Sequence, residues 1–177
     1  MRAVIVGCGR VGAALADALD RAGHRVLILD TSTAAFDRLP ASFRGEAVRG
    51  DGTDEDTLRR AGATGADLFV ALTEGDNRNV MASQIARESL GVASVLSKVN
   101  DPMRALAYAE MGIATINRTT LMADAILEFA GLPGSGRPAV HAGRGHDHPI
   151  DVPFAPAPVA ATPAGSLAVS GPKTGER

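Results

Sequence analysis

Through the first 131 positions, short unbroken apolar runs alternate with longer stretches in which apolar residues recur every three to four positions. The unbroken runs read as strands buried on both faces of a parallel sheet, and the spaced ones as amphipathic helices. Residues 3–7 are the first strand. Arg10–Ala22 is the first helix, with Val11, Leu15, Ala18 and Leu19 on one face and Gly23 as its stop. Arg25–Asp30 (RVLILD) is the second strand. Thr31-Ser32-Thr33 caps a helix running to about Leu39, which Pro40 closes, and Glu46–Arg49 is a short third strand. The alternation continues through a helix at Asp54–Ala61, a strand at Leu68–Leu72 and a helix at Asp76–Leu90. It closes with a strand at Ala93–Val99, a helix at Pro102–Met111, a strand at Ile113–Ile116 and a helix at Thr119–Ala130.

Six strands and six helices in regular alternation make an α/β fold, a doubly wound, Rossmann-like parallel sheet of six strands. Such sheets take ligands beyond the carboxyl ends of their strands, and the sequence at the first such end is distinctive. Gly7-Cys8-Gly9-Arg10-Val11-Gly12 links strand to helix. A tight turn requires Gly7, approach of a pyrophosphate to the backbone requires Gly9, and packing of the helix on the strand requires Gly12. The alternative is that the glycines only permit close strand–helix packing. Asp30 ends the second strand 18 residues beyond Gly12, where an acid accepts hydrogen bonds from both hydroxyls of an adenosine ribose, with Thr31 beside it. No Arg or Lys stands in the next seven positions, which disfavours a 2′-phosphate and hence NADP.

Further candidates lie at later strand ends. Arg10 is placed either to fold back on phosphate oxygens or to stand in solvent. Asp51-Gly52-Thr53 follows the third strand on the adenine side, although Asp51 could equally cap the next helix. Thr73-Glu74-Gly75-Asp76-Asn77 offers ribose or phosphate contacts or merely a polar helix start. Lys98 ends the fifth strand, either as a point charge for a terminal phosphate or as half of an interface salt bridge. Cys8 is the sole cysteine and reads as a small buried hydrophobe; alone, it excludes an internal disulfide and a thiolate zinc cluster. Asn79, Tyr108 and Met111 read as packing or interface residues. Tyr108 has Gly112 rather than a lysine four positions on, so the tyrosine–lysine acid pair of short-chain dehydrogenases is missing.

Composition divides the chain. Eight of the ten prolines lie at or beyond Pro133, together with seven glycines, and such a stretch buries too little apolar surface to offset its ordering entropy. Residues 132–177 are therefore expected to form a mostly disordered tail, and residues 1–131 the nucleotide-binding domain. His141, His146 and His148 in that tail suggest at most weak metal capture. Residues 1–131 carry 14 Lys and Arg against 17 Asp and Glu, which argues against nucleic acid as a partner. With neither a signal peptide nor an apolar run of membrane-spanning length, a cytoplasmic protein without direct membrane insertion is expected.

GCGRVG at 7–12, LILD at 27–30, GDGTD at 50–54, ALTEGDNRN at 71–79, SKVNDP at 97–102 and GIATINRTTLMADAI at 112–126 occur in order. Together they resemble the N-terminal lobe of the regulator-of-potassium-conductance (RCK or KTN) domains, as in TrkA-type potassium uptake proteins. The resemblance implies a cytoplasmic homo-oligomer, dimer to ring, that binds an adenine nucleotide (NAD, NADH, ATP or ADP) and regulates a potassium-translocating membrane subunit. It assigns Gly7, Gly9, Arg10 and Gly12 to phosphates, Asp30 to ribose, Asp51 and Thr53 to the adenosine side and Lys98 to a phosphate, where the family often has arginine. Val11, Thr31, Gly52 and Thr73 are expected to complete the same cofactor site. It makes Thr119–Ala130 a crossover helix whose Leu121, Ala125, Ile126 and Phe129 meet a neighbouring subunit, although burial on the helix's own sheet explains that stripe equally well. A complete C-terminal lobe is not expected from residues 132–177. Competing readings are a small NAD-dependent oxidoreductase, which lacks a substrate domain and an evident acid–base pair, and a free-standing nucleotide or redox sensor.

Overall fold

The computed structural model describes residues 1–143. Its strands are β1 (Arg2–Val6), β2 (Arg25–Asp30), β3 (Glu46–Arg49), β4 (Leu68–Ala71), β5 (Ser94–Lys98), β6 (Ala114–Ile116) and β7 (Val140–His141). The helices are α1 (Arg10–Arg21), α2 (Glu55–Arg60), α3 (Asp76–Gln84), α4 (Pro102–Glu110) and α5 (Arg118–Phe129). The sheet runs β3-β2-β1-β4-β5-β6-β7. The first six strands are mutually parallel, as the alternating pattern predicts, and Val4 of β1 pairs with Leu27 on one side and Phe69 on the other. Chain order reverses between β1 and β4, so the carboxyl end of β1 lies at the switch point where such sheets open a crevice.

Both faces of the sheet are covered. Val4, Val6, Leu27, Leu29 and Phe69 pack with Leu58, Ala82 and Leu90 on one side. Ile5, Val26 and Ile28 pack with Ala13 and Ala16 of α1 on the other. This burial explains why β1 and β2 read as continuous apolar runs.

The structure corrects three local expectations. The buried face of α1 is Gly12, Ala13, Ala16 and Asp20, whereas Val11 and Ala18 are exposed and Leu15 and Leu19 half-buried. Small residues face the sheet because α1 lies so close to β1. The helix expected after Asp30 is a short 3₁₀ helix at Thr33–Arg38, and its Ser32 cap makes no side-chain hydrogen bond. The sheet also gains β7, antiparallel to β6 through Ile116–Val140 and Thr115–His141, from the segment read as tail. The Asn117 N–H donates to the Ala139 carbonyl at 2.7 Å and leads the chain into this added strand. The expectation of disorder beyond residue 143, and the metal reading of His146 and His148, lie outside the described residues. No helix among the described residues is long and apolar enough to cross a membrane.

Asn79 joins β4 to β5. It is fully buried. Its Oδ1 accepts from the Thr73 N–H (2.8 Å) and hydroxyl (2.6 Å), and its Nδ2 donates to the Thr73 and Lys98 carbonyls (both 2.9 Å). The packing role read for Asn79 is thus a clamp between two strand ends. Replacing it leaves buried backbone groups unpaired. Asn79→Ala is expected to lower unfolding stability by about 2–4 kcal/mol, read as a reduced urea midpoint at unchanged slope; a midpoint equal to the parent's refutes the clamp.

Candidate functional site

The carboxyl ends of β1 to β4 enclose a cleft of about 210 Å³, lined in part by Gly7, Gly9, Asp30, Asp51, Glu74 and Arg78. Its floor is built by close approach. Gly7 adopts φ +104°, and a Cβ built on Gly12 would stand 2.0 Å from the Gly7 carbonyl oxygen. The helix therefore sits directly on the turn, and no other residue at position 12 leaves that packing intact. Gly9 differs: a Cβ there would meet nothing within 4 Å. The space beside Gly9 is open cleft.

Gly9 also begins α1. The helix has no side-chain cap and no acid in its first turn, whereas Asp54, Asp101 and Asn117 cap α2, α4 and α5 with side-chain acceptors. The free N–H groups of the first turn and the positive end of the helix dipole thus stand beside open space, an arrangement that receives an anion. The residues present fit a nucleotide diphosphate in this respect.

Asp30 is anchored at this end of the sheet. Its Oδ2 accepts from the Cys8 N–H at 2.8 Å and its Oδ1 from the Ser32 N–H at 2.9 Å. These bonds tie the end of β2 to the glycine turn and hold the carboxylate at the cleft wall, with lone pairs left for further donors. Cys8 is wholly buried. Burial first, and the nearby Asp30 charge second, push its thiol above the ordinary value, so it behaves as the small hydrophobe expected from the sequence.

The sequence-predicted residues divide into two groups. Gly7, Gly9, Asp30, Thr31, Asp51, Gly52 and Thr73 line the cleft. Arg10, Val11, Gly12, Thr53 and Lys98 do not. Arg10 is exposed at the start of α1 and borders a separate depression with Asp17 and Arg38. Val11 is 61% exposed. Thr53 serves Asp51, whose Oδ1 accepts from the Thr53 N–H (2.9 Å) and hydroxyl (2.8 Å). Asp54, not Asp51, caps α2. Lys98 is buried, with its Nζ 3.7 Å from Glu74 Oε1, so a residue at the cleft wall covers it.

Two further polar candidates are structural. Asp76 accepts from the backbone and side-chain amides of Asn100, and Asn77 accepts from Arg104. Sequence reasoning missed Arg78, which lines the cleft from the first turn of α3. The available signal was its place two residues after Asp76, on a turn already known to open toward the ligand side. Among the described residues no group of His, Cys, Asp and Glu is arranged to hold a metal ion.

The family model of the TrkA-N domain matches residues 3–118. The Trk system potassium uptake protein TrkA of Streptomyces coelicolor is 45% identical over 138 residues, covering 78% of this chain and 61% of that protein. The chain spans about half to three fifths of the length of this and the next curated relatives it matches. Among solved structures, the TrkA-N domain of the inner membrane protein ybaL from Escherichia coli superposes with a TM-score of 0.65 at 20% identity, covering 72% of this chain and 95% of that one. The GsuK channel bound to NAD superposes at 0.60 and 17% identity, covering 71% of this chain and 23% of that one. At these identities the two structures establish the fold alone.

Hydrogen bonds from Thr53 hold the Asp51 carboxyl below its ordinary value, the backbone N–H contributing most and the hydroxyl next, with the Arg78 charge assisting. A depressed carboxyl favours the folded state above its unfolded pKa, and that contribution is lost as pH falls through the folded value. Thr53→Val removes the hydroxyl, so the Asp51 titration measured by carboxyl NMR is expected to move upward toward the ordinary aspartate value. An unmoved titration contradicts the assignment of Thr53 to Asp51.

Proposed function

Because the chain belongs to the TrkA-N domain family, we propose that it is an adenine-nucleotide-binding regulatory component of a potassium transport system. The carrying observation is the cleft at the switch point, where an uncapped helix N-terminus, an open glycine and an anchored aspartate meet. The phosphates lie against Gly7, Gly9 and the first turn of α1, which Gly12 holds in place, with Arg10 and Val11 at the rim. The ribose hydroxyls donate to Asp30 beside Thr31. The adenine side faces Asp51 and Gly52, with Thr53 acting through Asp51, and Thr73 closes the opposite wall. Lys98 neutralises Glu74 at that wall and reaches a phosphate only where Glu74 gives way.

The same residues hold the adenosine diphosphate half shared by NAD, NADH, ADP and ATP. A related fold solved with NAD supports that class of ligand. The nucleotide is read rather than consumed, a view supported by the naming of the curated relatives as potassium uptake proteins. Regulation then requires that two arrangements of the assembled protein bind the nucleotide with different affinity, since equal binding moves no equilibrium.

Assembly falls to α5. Thr120 is its one buried residue, whereas Leu121, Met122, Ala125, Ile126 and Phe129 are exposed, Phe129 at 95%. Burial on the chain's own sheet therefore does not account for the stripe. A contiguous apolar strip of this kind marks an association surface, and a second copy of the chain is the partner proposed for it. A potassium-translocating membrane subunit is the partner of the assembly, which places the protein at the cytoplasmic face of a membrane.

Two outcomes test this reading. Asp30→Ala is expected to weaken ADP binding in calorimetry by about tenfold, the scale of lost charge-assisted hydrogen bonds, and Asp30→Asn less; unchanged affinity removes the ribose from Asp30. The double substitution Ile126→Asp with Phe129→Asp is expected to shift the mass measured by light scattering to that of a monomer. A parent protein that is already monomeric, or a variant assembled like the parent, overturns the role of α5.

A further inference from the structure

Arg78 is the one basic side chain lining the cleft, which it shares with three carboxylates, Asp30, Asp51 and Glu74. Each of those acids is already engaged. Asp30 accepts from two backbone N–H groups, Asp51 accepts from Thr53, and Glu74 lies beside the buried Lys98 ammonium. The Arg78 side chain makes no hydrogen bond or ion pair among the described residues. It is also poorly placed for the helix that carries it: it occupies the third position of α3, where the dipole disfavours a cation. Asp76, in the same turn, is committed to the amides of Asn100 and Asp101.

The residue is exposed, and neither an ion pair nor helix stability fixes its side chain. Its charge is nevertheless felt across the cleft at Asp51. An unpaired guanidinium at a cleft whose carboxylates have partners suits a ligand that brings its own negative charge.

We propose that Arg78 is the side chain that binds the phosphate groups of the nucleotide, together with the backbone N–H groups of the Gly9 turn. The proposal rests on the nucleotide-binding reading above and names a residue that the glycine motif leaves out. It divides the site into a backbone cradle on α1 and a single side-chain charge on α3. Lys98 then serves the site indirectly, by neutralising Glu74 so that a carboxylate beside Arg78 does not repel the phosphates.

The test is calorimetric titration of the full chain with ADP, for the parent and for Arg78→Gln, with a melting curve of each protein without nucleotide. Loss of a charge-assisted bond to phosphate is expected to weaken ADP binding about tenfold or more. The melting temperature should stay level or rise slightly, since a cation leaves the first turn of a helix. ADP affinity within twofold of the parent overturns the proposal, and so does a loss of affinity that comes with a lowered melting temperature, which marks a structural residue. A parent that binds no ADP overturns the nucleotide reading itself, a result distinct from failure at Arg78 alone.

Discussion

The contact between Gly12 and the carbonyl of Gly7 governs the rest of the molecule. With no room for a Cβ at position 12, the first turn of α1 rests on the backbone at the end of β1, and only small side chains fit along the face that follows. Ala13 and Ala16 occupy that face, and Ile5, Val26 and Ile28 close the layer beneath them. The same closeness directs the unpaired N–H groups of α1 at the mouth of the sheet instead of into the core, where they would have to be capped. One packing constraint thus sets both the spacing of the helix layer and the electrostatic character of the cleft.

The polar groups around that cleft fall into two kinds by what they bond. Asp30, Asp76 and Asn79 spend their hydrogen bonds on backbone and loop groups, which ties the end of β2 to the turn after β1 and the ends of β4 and β5 to each other and to α3. A preformed wall of this sort lowers the ordering cost of binding, because the loops that line the cleft are already held. Arg78 and the first turn of α1 are donors without a partner among the described residues. Both favour negative charge, so an anionic ligand gains from them what the folded chain alone does not use.

The sequence made the fold legible because burial on two faces produces unbroken apolar runs that few other structures produce. β2 and β3 begin and end where the pattern places them, and the other parallel strands differ by one or two residues. The departures have local causes. Ser32 makes no side-chain cap, and the segment stays a 3₁₀ helix that ends at Leu39 in extended backbone before Pro40. The burial of α1 is rotated away from Val11 because contact with Gly7 outweighs side-chain size. β7 was hidden by proline content, which reports on the average of a segment and not on two residues that find an edge strand to pair with. At the site, the glycine turn and Asp30 were legible because their spacing is imposed by the βαβ unit. Arg78 was not, since its position depends on how the β4 end and α3 meet the cleft, a relation between elements distant in sequence from the motif.

The placement of the two exposed features argues for regulation more strongly than either does alone. The cleft at the ends of β1 to β4 borders α1 and the start of α3, while the apolar strip lies on α5, which follows β6. Between them stand Asn79, which joins Thr73 to Lys98, and Asn117, which caps α5 and donates to the carbonyls of Val99 and Asn100. Asn100 in turn donates to Asp76 in the first turn of α3. A chain of bonded groups, buried at Asn79 and Asn117 and half-buried at Asp76 and Asn100, therefore links the helix that carries Arg78 to the cap of the helix that carries the apolar strip. Such a chain transmits nothing unless its end states differ in energy with and without ligand. An arginine that the folded chain leaves without a partner meets that condition under the proposed binding, because a phosphate would supply the partner that the protein itself does not.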